Sequence, residues 1–314
     1  MARNDIEKER SVGRKIWIMI LVLGLLFIFS VLIAVFFNTG DDTSTGYNTA
    51  IIPITGEITT DSSTGLFTSE TVGSTEVIAQ IERAKNDPNV KAVIFEINSP
   101  GGSPVATDEI SQEIKTLHEN NITTVAWIRE EGASGAYWIA SSTGHIVANR
   151  MSIVGSIGVI GSYLEWYGLM KDYNVTYERL VSGEYKDTGT PYRPLSSAEE
   201  IKLQGELDKL HEYFIESVAE NRNMSIDSVK KLATGEIFLG VEGKSNGLVD
   251  ELGGKPEAIA YVEKQLNTTV VTKDFVKEKS LIESLASAMN KNSYYMGEGI
   301  ASNFVKDQGL KITT

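Results

Sequence analysis

Two turns rich in small residues are the places in this sequence where catalytic chemistry is expected. The first is NSPGG at residues 98–102, and the second is GASGA at residues 132–136. Glycine lets the backbone approach a ligand closely, and N–H groups at the start of a helix stabilise an anion. An acyl-transfer enzyme needs two such donors for its oxyanion and a nucleophile beside them. Ser134 in the second turn suits the role of nucleophile, although serine is also a favoured helix N-cap.

A nucleophilic serine needs a general base, and the histidines do not suggest one. The elbow motif G-x-S-x-G is not matched, because Gly135 follows Ser134 directly. The three histidines are predicted to lie near a helix end, at the start of a strand and within a long helix: His118, His145 and His211. The remaining base is a lysine, and Lys186 stands in a loop at residues 181–188 rather than in a solvated helix. Its pKa would have to fall from about 10.4 to about 7–8, and the sequence alone does not distinguish it from a surface charge.

The segments around these residues alternate between strand and helix patterns. Strands are predicted at residues 51–58, 90–97, 124–128, 145–148 and 175–180, and helices at 75–86, after Ser103 and Pro104, and at about 197–223. Such alternation implies an α/β fold with right-handed crossovers and a mostly parallel, buried sheet. In a parallel sheet the turns that follow the strands gather at one edge, where active sites are usually built.

The composition excludes several classes of function. Hydrophobic residues make up 41% of the chain and charged residues 23%, as in an ordinary globular protein. The net charge of −13 argues against nucleic acid as a partner, because its phosphates would be repelled. The chain has no cysteine, which excludes thiol catalysis, thiolate metal sites and disulfides. No pair of histidines has a metal-ligand spacing such as H-E-x-x-H, so we do not expect a zinc enzyme.

An apolar run at residues 16–37 contains no charged residue and predicts a transmembrane helix. A helix of that length spans about 33 Å, which is enough for the hydrocarbon core of a membrane. The run ends without a small-residue cleavage site, so we interpret it as an uncleaved anchor rather than a signal peptide. Basic residues precede it, and Asp41 and Asp42 follow it. The positive-inside rule therefore places the N-terminus in the cytoplasm and the rest of the chain outside.

Four short segments resemble a known family, the bacterial signal peptide peptidases of the SppA type. They are NSPGG at 98–102, ASGAY at 133–137, VGSIGV at 154–159 and SGEYKD at 182–187. Each segment is weak alone, but their order and spacing are specific, and the resemblance covers about residues 50–265. Members of this family are membrane serine proteases with a Ser–Lys dyad, and they share a Clp-protease/crotonase-like fold.

The resemblance implies a role for each matching residue. Ser134 would be the nucleophile and Lys186 the general base, while Ser156 would orient the lysine amine. The N–H groups of Gly102 and Gly135 would form the oxyanion hole. The resemblance also implies that no cofactor is needed and that the chain forms a ring-shaped homo-oligomer. Neighbouring subunits of the family share active sites, and the sequence leaves open whether Lys186 serves the Ser134 of its own chain or of an adjacent one. The substrates would be membrane-derived peptides, such as the remnants of cleaved signal peptides.

The predicted protein is therefore a single-pass serine endopeptidase whose catalytic domain lies at the outer face of the cytoplasmic membrane. Its predicted parts are a cytoplasmic N-terminus at 1–15, the anchor at 16–37, a polar linker at 38–49, a serine protease domain at 50–266 and a C-terminal tail at 267–314. Two other functions remain open. A crotonase-type acyl-CoA enzyme would use a related fold, but it has little reason to lie outside a membrane anchor. An inactive scaffold would use the fold for assembly, and the presence of both Ser134 and Lys186 argues against it.

Overall fold

The computed structural model describes residues 17–30, 46–62 and 71–276. The chain divides into two units, Met1–Thr45 and Gly46–Thr314. In the first unit, residues 17–30 form a helix (α1), and all of its side chains are exposed. No helix among the described residues is both long and apolar enough to cross a membrane. The other parts of the predicted anchor, the predicted N-terminus at 1–15, linker residues 38–45 and tail residues 277–314 lie outside the described residues.

The second unit alternates strands with helices, as predicted. Its described strands are β1 (Thr49–Thr55), β2 (Glu57–Thr59), β3 (Thr71–Gly73), β4 (Ala92–Ser99), β5 (Thr123–Ala133), β6 (His145–Ala148), β7 (Ile153–Gly155), β8 (Ile237–Leu239), β9 (Glu251–Leu252) and β10 (Thr272–Asp274). Its described helices are α2 (Ser74–Asn86), α3 (Pro104–Glu119), α4 (Gly135–Ser141), α5 (Tyr167–Asp172), α6 (Ser197–Asn221), α7 (Ile226–Leu232), α8 (Gly240–Ser245) and α9 (Lys255–Leu266).

The main sheet is predominantly parallel. Its strands follow the order β10-β1-β4-β5-β6-β9, and every neighbouring pair along this path is parallel. The long strand β5 pairs with β6 through its first half and with β7 through its last three residues. Strand β7 also pairs with β8 in the antiparallel sense, and β2 and β3 form a separate small sheet. This arrangement confirms the predicted α/β class and is consistent with a Clp-protease-like fold.

Helices cover both faces of the main sheet, which explains why its central strands read as continuous apolar runs. In β4, Val93 and Phe95 face the large core that α2 and α3 close with their own apolar side chains. The alternate residues Ala92 and Ile94 face a smaller core closed by α9. All four of these β4 side chains are fully buried. The two faces of β4 pack against different helices, and a shift of one residue would move every side chain to the opposite face. The register of β4 is therefore fixed by both cores.

The prediction of a strand at residues 175–180 is wrong. The structure has no strand there, and residues 171–186 are all exposed. A strand needs a neighbour for its backbone N–H and C=O groups, and no described strand lies alongside this segment. The alternating apolar residues therefore belong to a largely exposed arm, residues 160–195, whose regular structure is the short helix α5. At the other end of the chain, β10 lies within the segment predicted as a tail and pairs with β1, so the main sheet extends to Asp274.

Candidate active site

Ser134 lies at the junction between β5, which ends at Ala133, and α4, which begins at Gly135. Its backbone has φ 52° and ψ −126°, a conformation that residues with a side chain rarely adopt. Such strain costs on the order of 1–3 kcal/mol and persists only where the surroundings enforce it. Here the N–H of Ser134 donates a 2.8 Å hydrogen bond to the carbonyl oxygen of Gly155 in β7. The sharp turn leaves the Ser134 side chain half-buried at the start of the helix.

The glycine turn after β4 packs directly against Ser134. Gly101 has φ +99°, and a Cβ placed on it would lie 2.8 Å from the Cβ of Ser134 and 2.7 Å from the nitrogen of Gly135. Only glycine permits both this φ and this approach. Strands β4 and β5 are neighbours in the sheet, and their register shifts between Ile97 and Ser99, just before the turn. The two small-residue turns predicted from the sequence thus meet at the carboxyl edge of the sheet.

The amides of Gly102 and Gly135 lie close together at this meeting point. A Cβ placed on Gly135 would lie 3.4 Å from the nitrogen of Gly102. Neither amide donates a hydrogen bond to any acceptor within residues 17–30, 46–62 and 71–276. The Gly102 turn is held from its other side by Ile58, whose N–H donates to Gly101 O at 2.9 Å and whose carbonyl accepts from Ser103 at 2.8 Å. Two neighbouring N–H groups are therefore available to an external acceptor beside Ser134.

A buried threonine that the sequence analysis did not single out lies against this pair of amides. Thr107, in the first turn of α3, is fully buried, and a Cβ placed on Gly135 would lie 2.4 Å from its Oγ1. Its hydroxyl has no hydrogen-bond partner among the described residues. The position of Thr107 explains why residue 135 has to be glycine. No sequence signal marks it, because it reads as an ordinary residue of the buried face of a helix.

Helix α4 holds Ser134 in place through aromatic residues that follow it. The hydroxyl of Tyr137 donates a 2.9 Å hydrogen bond to the carbonyl of Leu248, and complete burial raises the pKa of this tyrosine. The ring of Trp138 stacks on Phe214 of α6 with 4.9 Å between the centroids. Both aromatic residues are therefore anchored within two turns of Ser134.

Ser156 lies beside Ser134 because β7 pairs with the end of β5. Ala133 and Gly155 are register partners, so the residues that follow them, Ser134 and Ser156, leave the sheet next to each other. Ser156 also has a positive φ, 50°, and its N–H donates to Glu236 O at 2.8 Å. The structure thus gathers four of the five predicted site residues at one edge of the sheet: Ser134, Ser156, Gly102 and Gly135.

Lys186 is not part of this cluster within the described chain. It lies exposed in the turn that the structure places at residues 184–189, where its N–H donates to Gly183 O at 3.2 Å. Its side chain makes no hydrogen bond or ion pair with any described residue. The structure therefore places the predicted base on the exposed arm, apart from the contacts that join the other four residues.

The chemistry that the cluster offers is that of a hydroxyl nucleophile beside two amide donors. This is the minimal arrangement for attack on a carbonyl carbon whose oxygen becomes negative. Within the described residues, no group of three histidine, aspartate or glutamate side chains is arranged to hold a metal ion. The site therefore combines a strained serine with two backbone N–H groups that have no acceptor among the described residues.

Comparison with known proteins gives a consistent result. The profile of peptidase family S49 matches residues 116–269. A Methanocaldococcus jannaschii protein named "Putative protease" is 33% identical over 236 residues, which is 75% of this chain and 74% of the relative. An Enterococcus faecium protein named "Putative signal peptide peptidase SppA" is 31% identical over 263 residues, 84% of this chain and 73% of the relative. "Protease 4" of Haemophilus influenzae is 32% identical over 232 residues, 71% of this chain but only 38% of the relative.

Proposed function

Because this chain belongs to peptidase family S49 and is a serine-type peptidase of the SppA type, we propose that it hydrolyses peptides with Ser134 as nucleophile and Lys186 as general base. Neutral Lys186 takes the proton of the Ser134 hydroxyl as the oxygen attacks the peptide carbonyl. The N–H groups of Gly102 and Gly135 bind the oxyanion, and Lys186 then protonates the leaving amine. Water releases the acyl group in a second, similar step, and Ser156 orients the lysine amine.

One observation carries the proposal for Ser134 and the amides. The strained backbone of Ser134 packs against Gly101 so closely that only glycine fits there. The amides of Gly102 and Gly135, which have no acceptor among the described residues, lie beside it. A serine that served only as a helix cap would accept a hydrogen bond from its helix, and the Ser134 side chain makes no such bond in α4. Strain without a capping function is characteristic of a residue held for chemistry.

The proposed base reaches the site of a second copy of the chain. The loop of Lys186 is attached to the start of α6 near Glu199, whereas α6 packs on the serine-bearing helix through Phe214. At 1.5 Å per residue, these two points lie about 22 Å apart along the helix. In a ring of copies, the arm of one chain would extend to the Ser134 of its neighbour. Each active site is then complete only in the assembled protein.

The surface of the arm supports assembly between copies. Exposed aromatic and aliphatic side chains are concentrated on it, among them Tyr163, Leu164, Trp166, Tyr167, Leu169 and Tyr173. Large exposed apolar patches usually mark interaction surfaces. The arm is also the segment that carries Lys186, so the surface that would join two copies and the base that would be shared lie on one segment.

The proposed substrates are peptides released at the membrane, and signal-peptide remnants are the class we favour. The uncharged run at residues 16–37 would anchor the chain with its catalytic domain at the outer face of the cytoplasmic membrane. One relative carries signal peptide peptidase in its name. An anchored protease meets membrane-derived peptides at a high local concentration.

The decisive experiment measures hydrolysis of a synthetic signal peptide by the full-length chain in detergent micelles. We expect Ser134→Ala and Lys186→Ala each to abolish hydrolysis, because the nucleophile and its base act as a unit. Lys171→Ala, which removes another lysine of the same arm, is the matched control and retains activity. If Lys186→Ala still cleaves the peptide, another residue is the base.

The sharing of the site between copies has its own test. Chains with Ser134→Ala and chains with Lys186→Ala are inactive separately, and we expect activity to return when the two are assembled together. In a mixed ring, the intact serine of one chain meets the intact lysine of the next. If mixed assembly is verified and no activity returns, each dyad forms within one chain.

A further inference from the structure

Asp187, the residue after Lys186, is held by two arginines at once. Arg179 donates from Nε and Nη2 to the two carboxylate oxygens, both at 2.7 Å. Arg193 donates from Nε and Nη2 to the same two oxygens, at 3.0 Å and 2.9 Å. Fork-like pairs of this kind fix orientation as well as distance. The Asp187 side chain is only 10% exposed, although the surrounding arm is open to solvent.

The ion network continues from Arg193 to the start of α6. Arg193 donates to Glu199 from Nη1 at 2.8 Å and from Nη2 at 2.6 Å, and the Glu199 side chain is 5% exposed. Glu199 also accepts from the N–H of Ser196 at 2.9 Å, which completes a capping box. The hydroxyl of Thr188 donates to Glu199 at 3.0 Å. The loop is thereby joined to the first turn of a 25-residue helix.

These contacts bracket the backbone of Lys186 on both sides. Arg179 also donates to the carbonyl of Glu184 at 3.1 Å, two residues before the lysine. Asp187 and Thr188 follow the lysine directly. The hydrogen bonds of Arg179 and Arg193 hold the pKa of Asp187 well below its ordinary value, and those of Arg193 and Ser196 do the same for the pKa of Glu199. Both carboxylates are therefore charged across the whole range of neutral and alkaline pH.

The network has little to do with the core of the domain. Isolated surface ion pairs contribute little to stability. Bidentate arginine pairs form in only one relative orientation, so a network of them restrains the groups that it joins. This one joins segments of the exposed arm to a helix start that is itself largely exposed. Its effect is concentrated on the turn at residues 184–189 that presents Lys186.

We propose that Asp187, Arg193 and Glu199 are positioning residues that fix the Lys186 turn in the orientation in which its amine reaches Ser134. This inference rests on the proposed function, because it assumes that Lys186 is the base. Loss of about 1 Å of placement costs a reaction about 100-fold. A lysine on an unrestrained arm would have a lower effective concentration at the serine than a lysine on a restrained one.

The test compares Asp187→Asn and Glu199→Gln with wild type in full-length protein, by peptide hydrolysis and thermal unfolding. Both substitutions keep size and shape, and Gln also serves in a capping box, so the helix start is preserved. We expect kcat to fall by about 10-fold to about 100-fold while KM is unchanged, because the base is displaced and peptide binding is not. Lys230→Met, which breaks the 2.9 Å ion pair between Lys230 and Glu212, is the control and leaves kcat unchanged.

Arg193→Lys separates geometry from charge. Lysine keeps the positive charge but lacks the planar fork, so a positioning role predicts that this variant stays impaired. If Arg193→Lys recovers wild-type kcat, the network acts only through charge balance and the inference is overturned.

The remaining outcomes are also distinct. If both Asp187→Asn and Glu199→Gln keep the wild-type kcat, the network only stabilises the arm and the inference is overturned. This holds even if the unfolding temperature falls. If Lys186→Ala in the same series retains activity, the proposed dyad is wrong, and the positioning role that rests on it is wrong as well. Should either isosteric variant not fold, Thr188→Val removes a single hydrogen bond to Glu199 and is expected to show the same selective loss of kcat.

Discussion

The N–H of Ser134 donates a 2.8 Å hydrogen bond to the carbonyl oxygen of Gly155, the residue immediately before Ser156. This bond joins the end of β5 to β7 and holds the serine in its strained conformation, with φ 52°. It also fixes the spacing between the proposed nucleophile and the hydroxyl proposed to orient the base. The two serines are therefore placed by sheet pairing, whereas the proposed base is placed by the exposed arm.

Replacing Ser134 by glycine is expected to make the protein more stable than replacing it by alanine, although both variants are inactive. Alanine retains the Cβ that makes φ 52° unfavourable, whereas glycine relieves it, which corresponds to a difference of about 1–2 kcal/mol. The measurement is the free energy of unfolding of the two variants under the same denaturant conditions. Equal stabilities would show that the backbone at this position is not strained.

Gly135→Ala is expected to lower kcat by about 100-fold to about 1,000-fold, the usual cost of losing an oxyanion donor. Gly135 has no positive φ, so the cost comes from the clash of the new Cβ with Thr107 Oγ1, 2.4 Å away. Combining it with Thr107→Ala removes the clashing atom and is expected to restore part of the activity. Gly205→Ala, at a position with open space around it, is the control. A double variant as inactive as the single one would contradict this account.

Hydrolysis is expected to rise toward alkaline pH, because a lysine acts as a base only when it is neutral. Lys186→Ala, which is expected to abolish hydrolysis, should therefore be inactive at every pH of the series. EDTA is expected to leave the rate unchanged, because the serine and the two amides do not need a metal. The measurement is the initial rate on one peptide across the pH series, with and without chelator. Inhibition by EDTA that added zinc or magnesium reverses would overturn the metal-free mechanism.

The stabilisation that Glu199 gives to the arm is expected to be lost in acid. Its hydrogen bonds from Arg193 and Ser196 lower its folded-state pKa below the ordinary value of 4.5. A carboxylate with a lowered pKa stabilises the fold fully above its unfolded pKa and progressively less as the pH falls toward the folded one. The unfolding temperatures of wild type and Glu199→Gln are therefore expected to differ most above pH 4.5 and to converge below it. A difference that stays constant to low pH would show that the charge of Glu199 does not contribute.

The sequence by itself determined the elements and the chemical character of the turns. Ser103 and Pro104 predict the start of α3, and in the structure Pro104 is the first helical residue while Ser103 accepts a hydrogen bond from Ala106 N–H. Such signals can be read from the sequence because a helix cap depends on residues that are close to it along the chain. The apolar runs predicted the buried strands because a strand that is buried on both faces has apolar side chains at consecutive positions.

Only the tertiary structure decided which of these segments meet. The approach of Gly101 to Ser134 depends on the pairing of β4 with β5 and on a register shift between them, and the contact of Thr107 with Gly135 depends on how α3 packs beside α4. Residues 175–180 show the same dependence, because their alternation predicted a strand but no described strand lies beside them to pair with. A periodic pattern records how one segment is buried, but contacts between distant segments follow from strand order and packing, which no local pattern contains. Four of the predicted site residues were brought together by the sheet, whereas Lys186 lies on the exposed arm beside an ion network that no local sequence pattern predicts.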